Sequence, residues 1–245
     1  MVSRKAGVVA MRCLAGFFAI HALAAAQTPS PALLVLEKDD KALAIVDPQS
    51  LKIVGRAPAG DDPHEVVATE DGKVAYISNY GAFGKPGNTL SVVDLVGQKA
   101  LPAVELGALR APHGLDLAGG KVYFTAEGSK VIGRYDPATQ RIDWVLGIGQ
   151  NRSHMLLVAR DQSRIFTSDV NSDAITILEH AQNADVSGWS ETHIPVRAGP
   201  EGFDVSPDGK ELWAANSHDG TVSIVDVAGK KVTQTLNVPS KSPTA

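Results

Sequence analysis

One short alternation of apolar and polar residues recurs along the chain. It appears as Lys41 to Asp47 (KALAIVD), Asn88 to Asp94 (NTLSVVD), Ser129 to Asp136 (SKVIGRYD), Asp173 to Glu179 (DAITILE) and Gly220 to Asp226 (GTVSIVD). A period of two in residues rich in Val and Ile predicts half-buried strands. The acidic ends at 47, 94, 136, 179 and 226 set a repeat of 42 to 47 residues. The second unit shows the internal order: a strand near Glu65 to Thr69, a turn at Glu70-Asp71-Gly72-Lys73, and a strand from Val74 to Asn79. A loop through Gly81 to Gly87 then leads to Thr89 to Asp94, and a fourth strand follows at Ala100 to Leu106. The turn returns as Gly119-Gly120-Lys121, Asp161-Gln162-Ser163-Arg164 and Pro207-Asp208-Gly209-Lys210. Asp-Gly steps supply the positive φ that tight hairpins need.

Four short strands per unit, at this period and with no helical periodicity between them, predict an all-β fold, a β-propeller of four-stranded antiparallel blades. A β-sandwich would not carry a blade-length repeat. The first unit starts at Leu33 with what aligns to a second strand, so the expected count is nineteen strands: three, then four complete blades.

Tyr76-Ile77-Ser78-Asn79, followed by a Val-Val-Asp strand, resembles the Tyr-Val-Thr-Asn repeat of the YVTN β-propeller family of exported bacterial proteins. Phe124-Thr125-Ala126-Glu127, Phe166-Thr167-Ser168-Asp169 and Trp213-Ala214-Ala215-Asn216 align with it, over a span from about Leu33 to Val238. The aromatic of each copy is expected to pack between blades. Members of that family typically have seven blades. By comparison this chain would hold about five of them and be a partial propeller, with roughly two further repeats of 40 to 45 residues outstanding. The alternative is a five-bladed ring lacking one closing strand, with an open edge.

Residues 1–26 place Arg4, Lys5 and Arg12 before an apolar run from Leu14 to Ala26, the order of a cleaved secretory signal. That leaves residues 27–245 as the propeller domain, in the periplasm or outside the cell. After Gln27 no apolar stretch reaches the roughly 18 residues of a membrane span, so no membrane insertion is expected. The single Cys, Cys13, lies within the signal and excludes a disulfide framework. The net charge is −4 and grows more negative once Arg4, Lys5 and Arg12 are removed. With no Lys/Arg run either, nucleic acid is disfavoured as a partner. Haem-attachment and nucleotide motifs are absent from the sequence.

The candidate chemistry comes from aligning the repeats. His64, His113, His154 and Glu201 fall at one position, the start of the innermost strand, after Pro63, Pro112, Ser153 and Pro200. The ends of the second strands bring Glu37, Asn79, Glu127, Asp169 and Asn216 to the same face, and the loops add Asp61, Asp62, Arg110 and Arg152. Imidazoles with carboxylates suit a divalent metal, so His64, His113 and His154 are candidate ligands, with His113 or Glu201 as a general base. The leading expectation is a scaffold binding a small molecule or an extracytoplasmic protein through this face. The alternative is a metal-assisted lactonase or lyase using the same residues. A structural role stands beside both: polar side chains wetting a channel, and Asn or Asp bonding its own turn. His180, His193 and His218 occur once each in the pattern and are expected on the surface, as is Trp189 on the Ala181 to Ser190 segment.

Overall fold

The computed structural model describes residues 28–82, 84–180, 188–239 and 242–243. The expected signal at 1–26, with Cys13, and residues 181–187 of the long segment before Trp189 lie outside them. Strands β1 (Leu33–Glu37), β2 (Ala42–Asp47) and β3 (Lys52–Pro58) make a three-stranded antiparallel sheet. Four four-stranded antiparallel sheets follow, each in chain order. The second holds β4 (Pro63–Ala68), β5 (Val74–Ala82), β6 (Lys85–Asp94) and β7 (Lys99–Glu105), and the third β8 (Pro112–Ala118), β9 (Lys121–Ala126), β10 (Val131–Asp136) and β11 (Arg141–Gly147). The fourth holds β12 (Ser153–Val158), β13 (Arg164–Asp169), β14 (Ala174–His180) and β15 (Trp189–Pro195). The fifth holds β16 (Pro200–Val205), β17 (Glu211–Asn216), β18 (Thr221–Asp226) and β19 (Lys231–Asn237). Three strands and then four sets of four is the count that the repeat predicts. No helix among the described residues is long and apolar enough to cross a membrane.

The aspartate ending four of the five repeat motifs caps a turn. Asp47, Asp94, Asp136 and Asp226 each accept a bond from the backbone N–H two residues on, at 2.9 to 3.1 Å, which bends the chain into the outermost strand. Glu179, the one Glu in the set, pairs instead with Lys230 of the next sheet.

The sheets stack face to face, with a separate apolar core in each gap. Leu43 and Ile45 meet Ile77 and Val93 between the first and second sheets. Tyr76, Leu90 and Val92 meet Leu115 and Phe124 in the next gap. Tyr123 and Ile132 then meet Leu156 and Ile165, and Phe166 and Ile175 meet Leu212 and Val225. Each central strand therefore gives alternate side chains to two different cores, as the pleat requires.

Four sequence expectations need correction. The stretch 81–87 is no loop: β5 and β6 extend past their counterparts, pairing Gly81 with Pro86 and Ala82 with Lys85 as a projecting hairpin. Gly81 has φ of +92°, and a Cβ there would meet the Gly87 backbone at 2.1 Å, so only Gly allows the strands to close.

The second correction is a one-residue slip in the third sheet. Pro63, Ser153 and Pro200 lie opposite Asn79, Asp169 and Asn216, but Pro112 lies opposite Ala126, not Glu127. The turn Gly119-Gly120 is shorter than the equivalent turns in its neighbours, which displaced the alignment. A slip of one residue exchanges the two faces of a strand. Tyr123, not Phe124, is thus the equivalent of Tyr76, Phe166 and Trp213.

Third, Trp213 does not fill a gap between blades. It lies on the outer face of the last sheet, 43% exposed, with its indole N–H donated to Glu211. Trp189 corrects the other way, being half-buried against Trp144 and His180.

Candidate functional site at the mouth of the inner strands

The backbone makes the same sharp turn into each innermost strand. Asp62, Ala111, Arg152 and Gly199 take positive φ between 50° and 67° just before β4, β8, β12 and β16. Their carbonyls accept N–H bonds from Tyr80, Glu127, Val170 and Ser217 at 2.8 to 3.0 Å. These four residues are therefore equivalent, one step beyond the ends of the second strands. Each inner strand then breaks register across its second and third residues, at Pro63/Val66, Pro112/Leu115, Ser153/Leu156 and Pro200/Phe203. Such a bulge re-aims a side chain. The re-aimed residues are His64, His113, His154 and Glu201.

Hydroxyls on the second strands hold the bulges in place. Ser78, Thr125 and Ser168 accept the bulge N–H groups of Glu65, Gly114 and Met155 at 2.9 to 3.2 Å. Thr125 also donates to the His154 carbonyl at 2.7 Å, and Ser168 to the Glu201 carbonyl at 2.5 Å, tying each blade to the next. Gly114 lets the third and fourth blades close: a Cβ there would lie 2.6 Å from the His154 carbonyl oxygen and 2.8 Å from the Met155 Cα.

Three imidazoles are thereby stacked across three blades. Ring centroids are 4.3 Å apart for His64 and His113 and 3.7 Å for His113 and His154. Tyr80 meets His113 edge-on at 5.5 Å. Glu127 sits between blades: its Oε2 accepts the Tyr80 hydroxyl at 2.6 Å and its Oε1 lies 2.5 Å from His154 Nδ1. Arg152 Nε is 3.6 Å from that same Oε1, and the far end of the guanidinium is 3.7 Å from Glu201. His64, nearer solvent, lies between Asp62 and Lys38.

Burial and charge set the protonation of the group. Burial alone would raise the Glu127 pKa, but the bonds from His154 and Tyr80 and the Arg152 charge outweigh it, so the carboxyl is held below the usual glutamate range. Tyr80 is pushed up to about 12, first by burial and then by its bond to the Glu127 carboxylate. Burial, reinforced by the positive charge available to its neighbours, holds the His113 imidazole far below its ordinary pKa, so the ring is neutral. Burial also lowers His64, with Lys38 adding to the effect against Asp62. The His113 ring is 3% exposed, and its Nδ1 has no hydrogen-bond partner.

Beside this cluster opens a cavity of about 480 Å³, lined by Tyr80, Glu127, Arg152, Asp62, Asn151 and Asn171 together with one side of the β5–β6 hairpin. The structure brings only part of the aligned set to it. Asn79 spends its side chain on Gly60, Thr89 and Ser91. Asp169 accepts from Ser153, Thr167 and Thr176, while Asn216 is bonded to Thr221 and Ser223. Glu37 pairs with Arg56, and Arg110 folds back onto the Gly107 and Leu109 carbonyls. These residues brace blades and turns rather than face the cavity. The repeat alignment does not single out Tyr80, because it sets Glu127 at the position of Asn79. Counting nine residues back from the acidic ends at 136, 179 and 226 places Glu127 with Val170 and Ser217, and that signal was available in the sequence.

No protein-family model matches the chain, and no curated protein matches it in sequence. Two solved structures are similar in fold. The streptogramin B lyase structure superposes with a TM-score of 0.69 at 13% identity, covering 85% of this chain and 66% of that one. Dihydro-heme d1 dehydrogenase NirN in complex with DHE superposes with a TM-score of 0.63 at 15% identity, covering 85% of this chain and 44% of that one. The chain spans less than half the length of NirN. At these identities the likeness bears on the fold alone: this is a β-propeller protein.

Proposed function

We propose that the chain is an exported propeller of the YVTN type that binds a small polar molecule in the cavity beside Glu127 and Arg152. Arg152 carries the reading. Its guanidinium faces an open cavity and is shared at 3.6 and 3.7 Å between Glu127 and Glu201 rather than locked in a bidentate pair. It can turn to an acidic oxygen of a ligand while Asn151, Asn171 and Tyr80 offer amide and hydroxyl partners. A concave site with a few convergent polar groups suits a small molecule better than a protein face. Export rests on the order of charged, apolar and small residues in 1–26.

A second reading, a lyase or lactonase, is favoured by the 2.5 Å contact of His154 with Glu127. A carboxylate that orients an imidazole and stabilises its charged form is the arrangement of a general base. In this geometry His154 takes that role in place of His113 or Glu201.

Thermal-shift screening of the full chain tests both readings, with small carboxylates, sugar acids, lactones and, because the similar NirN structure holds DHE, hemin. A compound that raises the midpoint should lose at least tenfold in affinity in Arg152→Ala and be unaffected by Arg197→Ala, an exposed cation paired with Asp219. Binding that survives Arg152→Ala at full strength contradicts the proposal. Turnover of a lactone that disappears in His154→Ala would favour the enzyme.

A further inference from the structure

The buried cluster of His113, Glu127 and His154 has a feature that a purely structural role leaves unexplained. Nδ1 of His113 is buried and bonded to nothing, whereas a buried polar atom is normally satisfied. It lies in a group where one ligand atom from each residue falls within 4.8 Å of the others. Two of the three residues are tied by a short polar contact, His154 to Glu127 at 2.5 Å, and the His113 Nδ1 is left out of it. We propose that His113, His154 and Glu127 bind one divalent transition-metal ion of the zinc class, whose open coordination position faces the cavity beside Tyr80 and Arg152.

Two imidazoles and a carboxylate form a ligand set for zinc and its neighbours in the first transition row, and catalytic sites of that class keep a fourth position for water or ligand. Donors of a tetrahedral ion with bonds of about 2.0–2.1 Å stand roughly 3.3 Å apart, so His113 must close on the other two while the His154–Glu127 pair, now 2.5 Å apart, opens. Rotation of the His113 side chain breaks no bond at Nδ1, and the ion takes the place of the proton held between His154 and Glu127. The charge balance agrees. Lys38 and Arg152 are the cations near the cluster, against the carboxylates of Asp62, Glu65, Glu127 and Glu201. The set differs from the three aligned histidines, because Glu127 replaces His64. The His64 side chain, 21% exposed, is already engaged by Lys38 and Asp62. The ion site does not depend on what the cavity binds, and its test uses the metal alone.

The test is calorimetric titration of chelator-treated full-length chain with ZnCl2 at pH 7.5, repeated with CoCl2 and followed by visible absorption. One equivalent should bind, with a cobalt d–d band indicating nitrogen and oxygen ligands. His113→Ala, which removes no hydrogen bond through Nδ1, should weaken binding at least tenfold at an unchanged circular dichroism spectrum. Glu127→Gln should do the same, while His64→Ala and the exposed His218→Ala should stay within threefold. The proposal is overturned if the wild-type chain binds no stoichiometric ion. It is equally overturned if His64→Ala abolishes binding while Glu127→Gln leaves it intact. Should His113→Ala fail to fold, the wild-type stoichiometry and cobalt spectrum together with Glu127→Gln still decide the matter.

Discussion

Tyr80 and Glu127 occupy the same position in successive blades, yet one donates its hydroxyl to the other at 2.6 Å across the gap between them. The repeat thus places complementary groups, not identical ones, at equivalent sites. Tyr80→Phe should remove one of the bonds that hold Glu127 ionised and cost about 1.5–3 kcal/mol of stability, the range for hydrogen bonds to charged groups. Urea unfolding at pH 7 would read this as a lower midpoint with an unchanged slope. No change in midpoint would mean that the phenol does not support the carboxylate.

Thr125 is the hydroxyl that links the third and fourth blades. Replacing it with Val strands the Gly114 N–H and the His154 carbonyl in a buried setting, at about 1–3 kcal/mol. Replacing it with Ser keeps both bonds. Unfolding midpoints should therefore fall markedly for Thr125→Val and far less for Thr125→Ser, and equal loss in the two would point to packing of the methyl group instead.

Gly114→Ala should push the fourth blade's inner strand away from the third. The added Cβ meets backbone atoms, which cannot swing aside as a flexible side chain would. A cost of about 1–3 kcal/mol is expected from overpacking. The stacked His113 and His154 rings should move apart, visible as shifts of their ring resonances in NMR spectra. Wild-type stability with unshifted rings would contradict the close approach.

Asp169 gives a pH prediction. Burial raises its pKa above the ordinary 3.8, outweighing the bonds from Ser153, Thr176 and Thr167. A carboxyl whose folded pKa is raised is destabilising when ionised. Its cost is absent below about pH 3.8, grows as pH rises through the folded value and is complete above it. Asn79 and Asn216 stand at this position in other blades and bond Thr and Ser hydroxyls there. Asp169→Asn should accordingly be neutral or stabilising at pH 7 and should flatten the fall in stability that begins as pH rises above about 3.8. A large loss at pH 7 would show that the charge itself is needed.

Strand alternation, Asp-capped turns and the apolar content of each repeat made the blades legible from the sequence, because all three are local. The three histidines were legible for the same reason: each follows a turn and opens an inner strand. The repeat alignment marks Glu127 as a polar candidate but sets it one step off, and it does not single out Tyr80. The shortened Gly119-Gly120 turn changes the count in one blade, and a slip of one residue decides which side chain points into the site. The outward face of Trp213 was illegible too, since repeat position alone does not say what covers a blade.

The central claim is that Glu127 shares one site with His113 and His154 and not with the blade interior. Long-range proton–nitrogen spectra of the histidine rings test this most directly, recorded on metal-free wild-type chain and on Glu127→Gln at pH 7.5. The account predicts that the His154 and His113 signals move in the variant, His154 most because its Nδ1 loses a carboxylate 2.5 Å away, while His180, His193 and His218 stay in place. Unmoved His154 and His113 signals would contradict it.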